Sequence, residues 1–225
     1  MKTRHLLLAL ATSALLVAAS SLTAACAQTP SAESAVREPA VADPVNHEAV
    51  AALGQDMRKL WTDHVVWTRV YVMEAVGNQP GTAAAAARLM KNQEDIGDAI
   101  GTYYGTAADD QLTALLKDHI SVAVEIVKTA KAGDKTGQAA AETRWQQNAD
   151  EIATFLSGAN PNWPKATMAD FLTEHLSTTK DEVVARLGKK WDDDVQAFDR
   201  VYHHMLEMSD AISAGIVKQF PEKFR

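Results

Sequence analysis

From about residue 49 to the C-terminus, apolar residues recur at intervals of three and four positions, which is the spacing of amphipathic helices. The same region is rich in Ala, Leu, Glu, Gln and Lys, which favour helices. The pattern is interrupted at five places, namely residues 77–81, 105–106, 132–135, 160–164 and 188. The chain is therefore predicted to be all-α, with six helices of roughly 20–25 residues. Because the connections are short, neighbouring helices are expected to run antiparallel.

A five-residue motif occurs three times within these helices. It consists of two apolar residues, then Thr or Lys, then an acidic residue, and then His. The three copies end at His64, His119 and His175, which are separated by 55 and 56 residues. A repeat of nearly constant length predicts that the domain consists of three helical hairpins. The hairpins would either close as an up-and-down bundle or stack as a short solenoid, and we favour the bundle.

A second polar position recurs with the same regularity, 28 or 29 residues after each histidine of the motif. It is occupied by Asn92, Asn148 and His204. At ~1.5 Å per residue, the two positions of one hairpin lie at similar distances from its turn. Nearly all of these side chains also share a helical stripe with apolar residues. We therefore predict one polar layer in the interior of the domain. The predicted layer comprises His64, Asn92, His119, Asn148, His175 and His204.

The first 26 residues have the three-part pattern of a bacterial export signal. A short basic start precedes an apolar stretch over residues 6–19 and a run of small residues that ends at Cys26. The residues before Cys26 resemble a lipobox, with Thr23 where Leu is usual, so cleavage there would leave Cys26 lipid-modified. An alternative cleavage after the A-x-A site at residues 25–27 would release a soluble protein that starts at Gln28. Either way, we expect export to the periplasm or cell envelope.

Residues 27–48 contain three prolines, several alanines and charges of both signs, with no apolar period. This composition is typical of a flexible tether. The predicted organisation is therefore a signal peptide over 1–26, a tether over 27–48 and a helical domain over 49–225. Contact with a membrane is expected only through the N-terminal lipid.

The polar layer has a structural interpretation. A buried polar group without a partner costs about 1–3 kcal/mol, so each of these side chains needs a hydrogen bond. Bonds from His to Asn or to a carboxylate on another helix would satisfy the groups and fix the register of the hairpins. On this interpretation the protein is a non-catalytic structural or interaction module of the cell envelope.

The layer also has an interpretation as a metal site, because imidazoles from several helices can hold Zn, Fe or Cu in a bundle. An acidic residue lies three positions after each of Asn92, Asn148 and His204. These carboxylates would bind the metal or orient the imidazoles. Three imidazole nitrogens within about 4 Å of a common point would favour this hypothesis. The candidate metal-binding residues are His64, His119, His175, His204, Asp95, Glu151 and Glu207, supported by Asn92 and Asn148.

A third hypothesis is a pocket for a small apolar or aromatic ligand inside the bundle. Its candidate lining residues are Trp61, Trp67, Tyr71, Tyr103, Tyr104 and Trp145. The chain contains no nucleophile elbow, no GxGxxG motif and no P-loop, so the sequence gives little support to a hydrolase or to nucleotide chemistry.

Composition and charge exclude further classes. A single cysteine excludes an intramolecular disulfide and a CxxC pair. The formal net charge is −7, and removal of Lys2 and Arg4 with the signal makes it −9. An acidic domain is a poor partner for nucleic acid, because phosphate binding needs clustered Lys and Arg.

Three other features carry structural expectations. Arg69 lies on a very apolar stretch, so it is expected to pair with a buried acid or to extend to solvent. Trp163, in a loop with two prolines, is expected to cover the core. The C-terminal residues 218–224 are expected to pack across one end of the bundle.

Four stretches resemble an uncharacterised group of small bacterial helical proteins and lipoproteins. They are residues 60–69, 92–97, 145–152 and 160–163, and the resemblance extends from about 55 to 221. Members of the group are sometimes named glycosyltransferase or acetylglutamate kinase, but this sequence has no nucleotide-binding strand–loop–helix to support either name. The resemblance implies the helical fold and no particular activity.

Overall fold

A computed structural model describes residues 45–225, and within them the chain is all-helical. The predicted export signal, Cys26 and the predicted tether up to residue 44 lie outside the described residues. Six α-helices are followed by a short 3₁₀ helix. They are α1 (His47–Val76), α2 (Thr82–Tyr104), α3 (Thr106–Ala132), α4 (Lys135–Ala159), α5 (Lys165–Leu187), α6 (Trp191–Gln219) and η1 (Pro221–Phe224). The prediction of six helices separated by five breaks is confirmed.

The six helices form a closed bundle. Each helix packs against the next one in the chain, and α6 returns to pack against α1. Helix α1 also contacts α3 and α5. The contact between α6 and α1 is the one that an open solenoid would lack, so the bundle is the correct alternative. No helix within residues 45–225 is long and apolar enough to span a membrane.

Local signals in the sequence account for the ends of α1 and α3. The side chain of Asn46 accepts a hydrogen bond from the backbone N–H of Ala49, so the helix begins at His47, two residues before the start that the pattern predicted. Gly133 ends α3 in the left-handed region, with φ of 72°.

The C-terminal segment closes the end of the bundle at which α1 begins. The backbone N–H of Asn46 donates to the carbonyl oxygen of Phe224 over 2.8 Å. Phe224 is buried, and its ring stacks on that of Tyr103 with centroids 6.2 Å apart. The expectation that the C-terminal residues pack across one end of the bundle is confirmed.

Trp163 is fully buried against α6, so the expectation that it covers the core is also confirmed. It packs on Gly215, where a side chain would occupy the position of the indole nitrogen. The glycine is therefore required by the close approach of the indole ring to the helix backbone.

We expect Gly215→Ala to destabilise the protein by about 1–3 kcal/mol, because the added methyl group overpacks a filled site. Gly158→Ala is a matched control, because that helical glycine has open space where its side chain would be. Urea unfolding of the two variants measures the difference. Equal free energies of unfolding for the two variants would contradict the packing described for Trp163.

Candidate functional site

Three histidines of the repeated motif meet in the centre of the bundle. His64, His119 and His175 project from α1, α3 and α5, and their exposed fractions are only 2%, 2% and 4%. The ring centroid of His175 lies 5.6 Å from that of His64 and 5.7 Å from that of His119. All three border a cavity of about 20 Å³, which is otherwise lined by apolar residues and Trp61.

The second polar position (Asn92, Asn148 and His204) makes the same contact in the three helix pairs that correspond to the predicted hairpins, α1–α2, α3–α4 and α5–α6. In each case the side chain donates a hydrogen bond to a backbone carbonyl oxygen of the partner helix. The acceptor is always the residue four positions before the motif histidine. The bonds join Asn92 Nδ2 to the oxygen of Leu60 (3.1 Å), Asn148 Nδ2 to that of Leu115 (3.0 Å) and His204 Nε2 to that of Phe171 (2.7 Å).

This recurring bond fixes one helix against the next. A carbonyl inside a helix accepts the backbone N–H four residues later and keeps a second lone pair, to which a neighbouring side chain can donate. Each such bond contributes about 0.5–1.5 kcal/mol. Because the acceptor occupies the same place in every copy, the two helices of each hairpin are held at the same relative height.

In the second hairpin, the bond also fixes the protonation of His119. Since the amide nitrogen of Asn148 donates to Leu115, its Oδ1 atom is left as an acceptor, 2.8 Å from His119 Nδ1. The hydrogen of the neutral imidazole is therefore on Nδ1. His119 Nε2 then carries a lone pair, and this buried atom has no partner in the protein.

In the first hairpin, a glutamine next to the layer performs the corresponding role. Gln93 Nε2 donates to the carbonyl oxygen of Leu89 over 2.8 Å and to Oδ1 of Asn92 over 3.2 Å. The same amino group faces His64 Nδ1 at 3.4 Å, which favours a lone pair on Nδ1 and the hydrogen on Nε2. Gln93 was not among the residues predicted from the sequence, although its place directly after Asn92 on an otherwise apolar face is a signal for it.

All three core histidines are held in the neutral form. Burial lowers the pKa of His64 to about 3, with the nearby His119 as a smaller cause. Burial also lowers the pKa of His119 to about 4, against the opposing effect of its bond to Asn148. The pKa of His175 is lowered well below its ordinary value, first by burial and then by the other imidazoles. Charge on this cluster is therefore strongly disfavoured.

His204 does not join the central cluster. It is only half-buried and lies in an open groove between α5 and α6 with a volume of about 490 Å³. Conversely, His175 is fully buried although its helical stripe in the sequence is mixed. The sequence pattern thus predicts the position of both residues along the helix axis, but not how deeply each side chain is buried.

The three candidate carboxylates lie outside the cavity. Asp95 is part-exposed and pairs with Lys91 over 2.8 Å. Glu151 and Glu207 are both exposed. Glu207 lines the groove beside His204. Glu151 lines another outer groove, between α3 and α4, with a volume of about 620 Å³. A metal ion held in the centre would therefore be coordinated by imidazoles and not by these carboxylates. Within residues 45–225, no three His, Cys, Asp or Glu side chains already have the arrangement of a metal site.

The six aromatic residues proposed to line a ligand pocket do not lie around one common cavity. Trp61 borders the histidine cavity, and Tyr71 and Trp145 border a second apolar cavity of about 30 Å³. Trp67 lies instead beneath the guanidinium of Arg88, 5.5 Å from it. Tyr103 and Tyr104 pack against the C-terminal segment. Both cavities are far smaller than the 300–1,000 Å³ typical of ligand pockets.

Arg69 pairs with two buried acids, which is one of the two outcomes expected for it. Its guanidinium lies 2.7 Å from Glu182 and 3.1 Å from Asp194, whose side chains are 2% and 3% exposed. Arg186 also reaches Asp194 over 3.0 Å, and the guanidinium of Arg69 rests 4.6 Å from the ring centre of Phe198. Burial raises the pKa of Glu182 to about 7 against the opposing effect of Arg69. This network joins α1, α5 and α6.

Comparison with protein-family models, with curated proteins and with solved structures found no match. The resemblance to a group of bacterial helical proteins therefore stays a prediction.

Proposed function

We propose that this protein is a non-catalytic structural module of a bacterial cell envelope, exported through its N-terminal signal, whose interior polar layer sets the register of its helices. The observation that carries the proposal is the bond from the second polar position to a partner-helix carbonyl, repeated in all three hairpins. Asn92, Asn148 and His204 thereby have partners inside the protein. Lipid attachment at Cys26 would hold the domain at a membrane.

Burial and charge support this proposal. The imidazoles are neutral, enclosed and too close to apolar neighbours to admit a substrate. The outer grooves, in contrast, are open and carry acidic side chains, among them Glu151 and Glu207. A partner would therefore contact the outer faces of the hairpins, and the central layer would serve only to hold those faces in place.

The test exchanges the residues that occupy the same position in different hairpins. We expect His204→Asn to unfold with nearly the wild-type free energy, because an asparagine makes this bond in the other two hairpins. His204→Leu is expected to lose about 1 kcal/mol, since the donor to Phe171 is gone. Chemical denaturation measures both.

His203→Leu is the matched control, because that neighbouring histidine is exposed and lies outside the layer. Its free energy of unfolding should be almost unchanged. If His204→Asn were as unstable as His204→Leu, the proposed common role of the three side chains would be wrong.

A second candidate function is binding of a transition metal by the central histidines. It is favoured by the proximity of three neutral imidazoles and by the unpartnered lone pair on His119 Nε2. Zn, Cu or Fe would require the hydrogen on His64 to move from Nε2 or the ring to turn. The recurring hydrogen bond does not depend on a metal, so we rank this function second.

A further inference from the structure

Exposed apolar side chains are concentrated on one face of the bundle. Within residues 45–225, six large apolar side chains are exposed, and four of them lie on α1 or α6. On α1 they are Val66 and Met73, with exposed fractions of 38% and 39%. On α6 they are Trp191 and Val195, with 54% and 53%. A concentration of this kind marks an interaction surface, whereas apolar residues scattered singly over a surface need no explanation.

The α6 part of this face is a continuous apolar stripe. Trp191, Val195, Phe198 and Tyr202 follow one another at intervals of four, three and four residues, so they share one side of the helix. The rings of Phe198 and Tyr202 are half-buried, with centroids 6.1 Å apart. The guanidinium of Arg69, on α1, rests on the ring of Phe198. The stripe therefore runs along the edge of α6 that adjoins α1.

The α1 part lies beside this stripe. Val66 is three residues before Arg69 and Met73 is four residues after it, so both lie on the side of α1 that carries Arg69. That side faces α6, because Arg69 reaches Asp194 and Phe198. The six residues together are called the α1–α6 apolar face, which comprises Val66, Met73, Trp191, Val195, Phe198 and Tyr202.

Two acidic side chains border the α1–α6 apolar face. Asp192 directly follows Trp191, Asp199 directly follows Phe198, and both acids are exposed. Among the described residues, neither forms an ion pair. The cations of α1, in contrast, all bond to acids, namely Arg58 to Asp210, Lys59 to Asp63 and Arg69 to Glu182 and Asp194. The border on α6 is therefore negative and complements a cationic partner.

The size of the face favours a single helix over a second copy of the chain. The four exposed side chains present roughly 300–400 Å² of apolar surface. A stable dimer buries about 800 Å² on each partner, which is considerably more. One amphipathic helix carries its apolar residues along a single side and covers a narrow strip of the kind that two adjacent helices present.

We propose that the α1–α6 apolar face is the docking surface for a basic amphipathic helix of a partner protein. The apolar side of that helix packs along Val66, Met73, Trp191 and Val195, and its Lys or Arg side chains pair with Asp192 and Asp199. The inference rests on the proposed function in one respect, namely that a non-catalytic module acts through a partner.

The test uses a synthetic helical peptide with Leu along one side and Lys on the others, added to the purified protein. Trp191 is the most exposed of the five tryptophans, so its burial by the peptide should shift the tryptophan emission to shorter wavelength. We expect a dissociation constant in the micromolar range. A peptide with Glu in place of every Lys should bind at least about tenfold more weakly, because the border of the face is acidic.

Surface variants locate the site. Val66→Ser/Val195→Ser should weaken binding of the Lys peptide by about tenfold, since both apolar contacts are lost. Asp192→Asn/Asp199→Asn should weaken it severalfold and reduce its dependence on salt. Val184→Ser is the matched control, because that valine is 56% exposed but lies on α5, outside the face. It should bind with wild-type affinity.

The proposal is overturned if the Lys peptide does not shift the emission, or if the wild type and Val66→Ser/Val195→Ser bind it equally. Self-association in sedimentation velocity that this variant abolishes would assign the face to a second copy of the chain. An emission shift with phosphatidylcholine vesicles would assign it to a lipid surface, and either result overturns the proposal. These variants leave the hydrogen bonds of the polar layer intact, so the proposed function is judged separately by the stability of the His204 variants.

Discussion

Replacing Arg69 by leucine is expected to destabilise the protein by about 3–5 kcal/mol, because the substitution leaves Glu182 buried without a counter-charge and leaves Asp194 with Arg186 alone. Glu182 and Asp194 are almost inaccessible to water, and among residues 45–225 only Arg69 bonds to both. Arg186 contacts Asp194 alone, so it cannot replace the lost pair with Glu182. The cation–π contact with Phe198 is lost as well.

Equilibrium unfolding in urea measures this effect. Arg58→Leu is the matched control, because Arg58 pairs with Asp210 at the surface, where their side chains are 52% and 48% exposed. That variant should retain nearly the wild-type stability, since exposed ion pairs contribute little. Adding Glu182→Gln to Arg69→Leu should restore part of the loss by removing one unpaired charge. An Arg69→Leu variant as stable as Arg58→Leu would contradict the role assigned to the buried network.

Acidification from pH 7 to pH 5 is expected to lower the free energy of unfolding by about 3–4 kcal/mol. In the folded protein the pKa values of His64, His119 and His175 are depressed, whereas in the unfolded chain they return to about 6.5. The unfolded chain therefore binds more protons as the pH falls below about 6.5, and stability is lost. Each histidine contributes about 2 kcal/mol to the loss at pH 5.

Glu182 acts in the opposite direction. Its pKa is raised to about 7 in the folded protein by burial, so the unfolded chain holds this proton less tightly. As the pH falls, the folded protein takes up this proton more readily than the unfolded chain. Protonation of Glu182 therefore raises the free energy of unfolding by about 2 kcal/mol between pH 7 and pH 5. The three histidines together exceed this gain, which gives the net loss stated above.

Urea unfolding at pH 7, 6 and 5 separates these contributions. In His119→Leu the loss between pH 7 and pH 5 should be smaller than in the wild type by about 2 kcal/mol, whatever the effect of the substitution at pH 7. His203→Leu, in which the exposed neighbour of His204 is changed, should follow the wild-type curve. An identical pH dependence in the wild type and His119→Leu would show that this imidazole is not held neutral by burial.

The helical fold and the height of the polar layer could be predicted from the sequence. Apolar periodicity and Gly or Pro breaks are local signals, and they located all six helices. The spacing of His64, His119 and His175 was enough to bring these three residues together, because chain length along a helix converts directly into distance. Trp163 and the C-terminal segment were also placed correctly.

Depth in the bundle and partner identity could not be predicted in the same way. His204 shares a helical stripe with apolar residues but lies beside an open groove. Glu182 lies on a mixed stripe but is buried against Arg69. Both outcomes depend on how far the neighbouring helix covers each face, which is a tertiary property. The contact of Gln93 with His64 likewise depends on the rotation of α2 about its axis.

The most direct test of the structural role of the layer is the metal content of the purified protein without an affinity tag. After loading with Zn²⁺ or Cu⁺ and desalting, we expect less than about 0.2 equivalents of metal, in the wild type and in His119→Leu alike. The protein should remain folded in the presence of a chelator. One equivalent retained by the wild type and lost in His119→Leu would contradict the structural role and establish the central histidines as a metal site.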